Sequence, residues 1–414
     1  MFKQIVSRDN LKKAYLVLAS QIELDGRSGR YAGYDSYKLE DIDVVSEDIL
    51  EEAREELLAG QELSPALLFK IPKKSNPQKT REVFIYCLKD RIKAQAIYQV
   101  VEAVFDAYLS PWLFSYRSSH PSYYAARSTV RHYGRYFSRD YVLLADAANY
   151  SSNIDRDILK EKLKVLDFSK EVLALLYLYI DNRFLKGSRF EQTPLGIISG
   201  TPLTGLFANL YLDELDKYAG RQVDFYRRVG DDLIAFDKEE GKIASLKEYL
   251  LGAANRLKVD LNASKTKSLS AAADFEYLGY HFAGGQVSFS RSFVAGTIRT
   301  WRQLFPRSDR HPAHWKTKNV KSLLNKEEQS LRQAFKQLVW QKNLVNDWRA
   351  IEALSEAFFR ILTAYFFGSY TPRHRRLLPK YLKRLSLKSI YQYFLDCQYG
   401  YKRKTSRHLT GKTR

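Results

Sequence analysis

The segment Val229-Gly230-Asp231-Asp232-Leu233-Ile234-Ala235-Phe236 places two adjacent acids at a turn between two apolar runs. Gly and Asp are ordinary turn residues, so the turn alone says little. Its flanks say more, because apolar residues on both sides pin the acids between two core strands. Adjacent negative charges there are costly unless something neutralises them. A second segment ends in the same way: Tyr141-Val142-Leu143-Leu144-Ala145 reads as a short apolar strand that runs into Asp146. If the two strands are neighbours, three carboxylates converge at one end of a sheet. Such a cluster would suit magnesium, a hard ion commonly held by one or two carboxylates plus substrate phosphate. Phosphoryl transfer by two metal ions needs carboxylates that hold the cations roughly 3.5–4 Å apart.

Around this pair the pattern alternates irregularly between strand and helix. Residues 66–90 alternate short apolar runs with basic residues and predict a β-hairpin with Asn76-Pro77 at its tip. Helical periodicity is expected over an acidic run from Ser46, a plausible N-cap, to Leu58, and then over Asp90–Tyr108, Ile158–Leu166, Val172–Ile180 and Gly205–Tyr218. Phe275–Phe282 reads as a further strand, turning at Gly284-Gly285, and the chain beyond Ser290 reads as helical and basic. Strands mixed with helices and lacking a βαβ period give an α+β fold, with helices packed against an antiparallel sheet.

Charge separates the last third from the rest. The chain has a net charge of +20, and residues 291–414 hold 27 Lys and Arg against 7 Asp and Glu, which accounts for all of it. A neutral body with a basic appendage points to a polyanion, since neutralising phosphates dominates non-specific nucleic-acid affinity. No stretch approaches the roughly 18 apolar residues of a membrane span, and no membrane partner is expected. The two cysteines, Cys87 and Cys397, make neither a disulfide framework nor a zinc site, which fits a cytoplasmic protein.

Read in order from Leu67 to Phe282, the motifs resemble those of the reverse transcriptase family, especially the bacterial group of intron, retron and defence-associated enzymes. Phe69-Lys70-Ile71-Pro72-Lys73-Lys74, Lys79-Thr80-Arg81-Glu82-Val83 and Leu88-Lys89-Asp90-Arg91 are similar to the family's fingers. The resemblance implies that Arg81, with Lys70 or Lys79, grips the incoming triphosphate. Phe114-Ser115-Tyr116-Arg117 resembles the segment that enters the palm. Asp146 through Ile154-Asp155-Arg156 resembles the first palm motif, with Asp146 as metal ligand and the Ala147 carbonyl as a second contact. Ser199-Gly200-Thr201-Pro202 through Asn209-Leu210-Tyr211 resembles the second motif, whose small residues, Gly200 among them, let template and substrate come close. Lys265, in the Asn262–Lys267 segment, matches a lysine that assists pyrophosphate departure. Phe275-Glu276-Tyr277-Leu278-Gly279-Tyr280 resembles the primer grip, carried by Tyr277, Leu278 and Gly279.

The resemblance implies a right-hand polymerase: an N-terminal helical extension (1–62), fingers (63–135), a palm with primer grip (136–290) and a basic helical thumb with tail (291–414). In the thumb, Arg373, Arg375, Arg376, Lys380, Lys383 and Arg384, and the tail residues Lys402, Arg403 and Lys404, supply phosphate contacts. The expected activity is RNA-templated DNA synthesis, an RNA-directed DNA polymerase with two Mg2+ ions (Mn2+ as a substitute) held by Asp146, Ala147, Asp231 and Asp232. The expected partners are an RNA template or associated non-coding RNA, deoxynucleoside triphosphates and the DNA product, in bacterial antiphage defence, with an oligomer compatible with the chain.

Two departures stand next to the substrate. Family members usually carry an aromatic five positions after the first catalytic Asp, where it blocks a ribose 2′-hydroxyl; here that position is Ser151, with Tyr150 one before it. The second motif has Ile198-Ser199-Gly200 where Pro-Gln-Gly is common. Ser199-Gly200, Thr204, Asn209 and Gly230-Asp231-Asp232 are also similar to viral RNA-dependent RNA polymerases, which makes ribonucleotide polymerisation the alternative. Untemplated or protein-primed synthesis, and an RNA-binding splicing cofactor of the intron-protein type, are further alternatives.

Overall fold

The computed structural model describes residues 1–24, 32–37, 47–72, 78, 80–147, 150–187, 189–191, 195–305, 342–384, 391 and 393–395. The chain divides into two compact units, Met1–Ala271 and Ala272–Arg414.

The first unit begins with α1 (Phe2–Ile5), α2 (Arg8–Leu24) and α3 (Glu47–Ala59), which pack on the long α4 (Leu88–Tyr108). Ile5, Leu11, Ala14, Leu18, Ala53 and Leu57 bury against Ile92, Ala96 and Ile97 in one continuous apolar core. The expected cap of α3, Ser46, lies outside the described residues. Between α3 and α4 the chain forms the expected hairpin, β1 (Ala66–Pro72) and β2 (Thr80–Ile85), in a register that sets Leu67 opposite Ile85 and Lys70 opposite Glu82. Its expected tip, Asn76-Pro77, lies outside the described residues.

After α5 (Ser122–Tyr136), β3 (Tyr141–Asp146) enters the central sheet. It is followed by α6 (Tyr150–Asn153), α7 (Arg156–Lys164) and α8 (Lys170–Ile180), then by β4 (Phe184–Lys186) and β5 (Arg189–Glu191). β4 and β5 extend the hairpin into a sheet of order β2-β1-β4-β5. Asp155 caps α7, its Oδ1 accepting from the amides of Asp157 and Ile158, the geometry favoured at helix N-termini.

The run Gly205–Tyr218, expected as one helix, is two: α9 (Pro202–Tyr211) and α10 (Asp213–Gln222). The chain breaks at Leu212, and Asp213 Oδ1 there accepts the Ser110 amide at 2.7 Å. β6 (Phe225–Val229), β7 (Asp232–Asp237), β3 and β8 (Lys267–Ser270) form an antiparallel sheet in the order β6-β7-β3-β8. The inner strands β3 and β7 are buried nearly throughout, as expected for sheet strands covered on both faces. α11 (Glu240–Arg256) packs on both of them, placing Ile243, Leu246 and Leu250 in the core.

The second unit opens with a meander, β9 (Phe275–Tyr277), β10 (Tyr280–Ala283) and β11 (Gln286–Phe289). The single strand expected over Phe275–Phe282 is therefore split. Leu278 and Gly279 both take left-handed backbone conformations (φ 49° and 76°) and reverse the chain after the first three residues of the run. α12 (Arg291–Leu304), α13 (Trp348–Phe367) and α14 (Pro372–Arg384) complete the unit. Trp301 of α12 meets Phe358 of α13 edge to face at 4.2 Å. Among the described residues, no helix is long and apolar enough to cross a membrane.

Candidate active site

Asp146 closes β3 and Asp232 opens β7, and the ladder sets them directly opposite one another. Asp231 sits in the turn before β7, its carbonyl accepting the Ala147 amide at 3.3 Å. One carboxylate oxygen from each of the three aspartates lies within 4.8 Å of the others. Asp146 is buried, Asp232 half-buried and Asp231 exposed.

Crowded acids resist ionising together. Loss of water on burial, then the charges of Asp231 and Asp146, push the Asp232 carboxyl up to about 7. Asp231, though exposed at the rim, is also raised, first by the protein around its carboxylate and then by Asp146. Three hard oxygen donors in this state fit one or two magnesium ions, whose charge would remove the conflict. Cation charge is already supplied by Lys265, whose Nζ donates to Asp146 Oδ2 at 2.7 Å. Burial opposes the lysine's charge, but Asp146, Asp232 and Asp231 together hold its pKa above the usual value. Asn262 completes the collar: its backbone amide donates to the Asp146 carbonyl at 2.8 Å and its Nδ2 to Asp146 Oδ1 at 3.4 Å.

The turn itself is held from beneath by residues that sequence reasoning passed over. Arg228, 1% exposed, forms a two-pronged pair with the fully buried Asp216, Nε to Oδ1 at 2.8 Å and Nη2 to Oδ2 at 2.7 Å. Its Nη1 donates to the Gly230 carbonyl at 2.7 Å, and Nη2 also to the Asn209 carbonyl at 3.2 Å. Tyr226 donates its hydroxyl to the same Asp216 at 2.8 Å. Burial works against the guanidinium charge, yet Asp216 more than restores it and holds Arg228 protonated. From the other side the Gly230 amide donates to Ser115 Oγ at 2.9 Å, and Ser115 is tied to Asn209 on α9. The sequence signal for Arg228 was a pair of arginines, Arg227 and Arg228, inside a short strand.

The carboxylates open into a cleft of about 1110 Å3. Lys70, Thr80, Glu82 and Phe84 form one wall from the hairpin sheet, while α6 and the Ile197–Gly205 segment form another. Tyr150 and Ser151 both line it. Tyr150 is buried and donates its hydroxyl to the Ala208 carbonyl of α9. Ser151 is half-buried, and its carbonyl accepts the Ile197 amide at 2.9 Å. Gly200 lies in the cleft as expected, but the reason for its glycine is local. At φ 120° a Cβ would stand 2.6 Å from the Phe84 carbonyl, so the residue lets this loop close on β2.

The structure therefore brings Asp146, Ala147, Tyr150, Ser151, Gly200, Asp231, Lys265 and Lys70 to one cleft. Asp232 joins them through the carboxylate cluster. Arg81 lies in β2 opposite Ile71; its side chain, and Lys79 altogether, lie outside the described residues. Tyr277, Leu278 and Gly279 form the first turn of the meander in the second unit, with Tyr277 buried. There a Cβ on Gly279 would stand 2.7 Å from Lys342 Nζ. In the same unit Arg373, Arg375 and Arg376 are exposed on α14, and Arg375 pairs with Glu356 at 3.1 Å. The side chains of Lys380, Lys383 and Arg384, and the whole of Lys402, Arg403 and Lys404, lie outside the described residues.

No family model matches the chain. Protein YkfC of Escherichia coli K12 is 21% identical over 323 residues, spanning 69% of this chain and 84% of that protein. The group II intron-encoded protein LtrA of Lactococcus lactis subsp. cremoris is 24% identical over 147 residues, spanning 35% of this chain and 24% of that protein. Among solved structures, apo telomerase from Candida tropicalis matches with a TM-score of 0.47 and 12% identity, over 78% of this chain and 59% of that one. Telomerase from Candida albicans in complex with a fragment of telomeric RNA matches at 0.46 and 11%, over 83% and 68%. The chain thus spans less than two thirds of LtrA and of the Candida tropicalis telomerase. At low identity, it is similar in sequence to a group II intron-encoded protein.

Proposed function

We propose that this chain is a reverse transcriptase, an RNA-directed DNA polymerase whose catalytic residues are Asp146, Asp231 and Asp232. The observation that carries this reading is the convergence of the three carboxylates within 4.8 Å at the floor of a large, polar-lined cleft. These residues would hold two Mg2+ ions, with Mn2+ as a substitute and the Ala147 carbonyl as a further ligand. Bound there, the ions would supply activation of the attacking 3′-hydroxyl and neutralisation of triphosphate charge.

The protein's own groups do the rest. Lys265 balances Asp146 at rest and, once released, stands ready to meet the departing pyrophosphate. Arg81, with Lys70 or Lys79, grips the triphosphate, and Lys70 is exposed in the cleft wall. Arg228 and Ser115 fix the Gly230 backbone, so that the Asp231 and Asp232 carboxylates are in place before substrate arrives. The first unit supplies fingers and palm. The second supplies a primer grip at Tyr277, Leu278 and Gly279 and a thumb whose exposed Arg373 and Arg376 contact phosphate. An associated non-coding RNA as template, in bacterial antiphage defence, belongs to the same reading and rests on the divergent Ile198-Ser199-Gly200 segment.

Ribonucleotide polymerisation is the second reading, favoured by one observation: Ser151, not an aromatic ring, lines the cleft five residues after Asp146. One assay addresses both readings. The purified chain with Mg2+, an RNA template and a DNA primer is given deoxynucleotides or ribonucleotides separately. DNA extension copied from the RNA supports the first reading and RNA extension the second. Extension by neither, on any primed RNA, would sink the polymerase assignment.

A further inference from the structure

Tyr116 is the anomaly in the wall of the cleft. It is 62% exposed, it carries a left-handed backbone (φ 50°), and its hydroxyl makes no hydrogen bond among the described residues. A bulky residue at positive φ is a genuine outlier, sustained only where the surroundings impose it. Here they do. Ser115 is locked to Asn209 and to the Gly230 amide. Arg117 is buried and tied to Asp106 and to the Ser110 carbonyl. Just upstream, Phe114 and Trp112 exchange backbone hydrogen bonds with Arg228 of β6. The backbone is thus clamped on both sides, leaving the ring as the one part of the segment turned toward the cleft.

The ring also has a seat. A Cβ on Gly205 would stand 2.5 Å from Tyr116 Cγ, so the absence of a side chain at this helical position is what lets the ring lie against α9. Ala208, whose carbonyl holds the Tyr150 hydroxyl, lies one helical turn further on, about 4.5 Å along the axis. Two tyrosines therefore rest on α9 at neighbouring levels. Tyr150 is buried with its hydroxyl committed, while Tyr116 keeps a solvent-facing ring beside the carboxylates. A fixed, supported, exposed aromatic face is the surface on which nucleobases stack.

We propose that Tyr116 is a nucleobase-stacking platform of the catalytic cleft, kept in place by the Ser115 and Arg117 anchors and by the missing side chain of Gly205. This deepens the polymerase reading and rests on it. The base comes either from the incoming nucleotide or from a strand of the bound hybrid, and two binding measurements separate these sources. The first is the affinity of a short RNA–DNA hybrid for the full chain. The second is the affinity of a deoxynucleoside triphosphate for the complex with a hybrid whose primer lacks the 3′-hydroxyl.

Tyr116→Ala should weaken one of the two about tenfold, as loss of a single base stack does. Gly205→Ala should do the same by displacing the ring, and Tyr116→Phe should match wild type. Tyr116→Gly serves as the folding control, since it removes the ring and suits the left-handed backbone, so its melting temperature should stay near wild type while binding falls. Loss of triphosphate affinity identifies the incoming base, and loss of hybrid affinity a strand base. Affinities for Tyr116→Ala within twofold of wild type in both measurements would overturn the proposal. A wild-type chain that binds neither hybrid nor triphosphate would instead overturn the polymerase reading beneath it.

Discussion

Removing the Asp216 carboxylate is the sharpest mechanical test of how the Gly230-Asp231-Asp232 turn is built. Asp216 is 0% and Arg228 1% exposed, so Asp216→Ala leaves a guanidinium buried without its counter-ion. The substitution deletes two charge-assisted bonds, at 2.8 and 2.7 Å, and the bond that the Tyr226 hydroxyl donates to Asp216. Breaking a buried pair from one side costs about 3–5 kcal/mol. The Gly230 and Asn209 carbonyls still partly solvate Arg228, which places the expectation near 3 kcal/mol. Asp216→Leu combined with Arg228→Met removes both charges and should cost less than Asp216→Ala, because no unpaired charge stays buried, although the Tyr226 hydroxyl and the Gly230 and Asn209 carbonyls each lose a bond. Activity should not recover with stability, since the double variant lacks the Nη1 bond that holds the Gly230 carbonyl. Urea unfolding followed by circular dichroism gives the first quantity and primer extension the second. A cost below about 1 kcal/mol for Asp216→Ala, or full extension by the double variant, would refute the reasoning.

Ser151→Phe should improve discrimination against ribonucleotides about tenfold in competitive extension if residue 151 faces the sugar, as its place in the cleft implies. Unchanged selectivity would point to Tyr150. Gly200→Ala should cost about 1–3 kcal/mol in urea unfolding, because the new Cβ meets the Phe84 carbonyl at 2.6 Å at a φ that L residues avoid. Lys342 is buried, its Nζ on the Leu278 carbonyl at 2.5 Å, and burial pushes its pKa down to about 8 from 10.5. Between these two values the unfolded chain holds more protons than the folded one, so stability should rise with pH across that window. Melting curves of Lys342→Met should show a flatter rise than wild type; an unchanged slope would contradict the assignment.

The strands that carry the three aspartates were legible because their pattern is local. Apolar runs ending on acids require strands that stop at a shared edge, and the register of Asp146 with Asp232 follows. The hairpin of β1 and β2 was readable for the same reason. The break at Leu212 was not, since apolar periodicity runs on through Leu215 and the Asp213–Ser110 hydrogen bond that marks it joins residues 103 apart. The reversal at Leu278 was hidden because leucine seldom takes a left-handed conformation. Arg227 and Arg228 look equivalent in sequence, yet Arg228 is buried against Asp216 while Arg227 is half-buried with its Nε on Ser128 Oγ. Tyr116 is still less legible: its exposure follows from the missing side chain of Gly205 on a distant helix.

The central claim is that Asp146, Asp231 and Asp232 together form the divalent-metal site that drives nucleotidyl transfer. Mn2+ titration followed by electron paramagnetic resonance, with hybrid and a non-hydrolysable deoxynucleoside triphosphate present, tests it most directly. Wild type should bind two ions per chain, and Asp231→Ala or Asp232→Ala should lose tight binding of at least one while remaining folded. Equal Mn2+ binding by wild type and both variants would contradict the account.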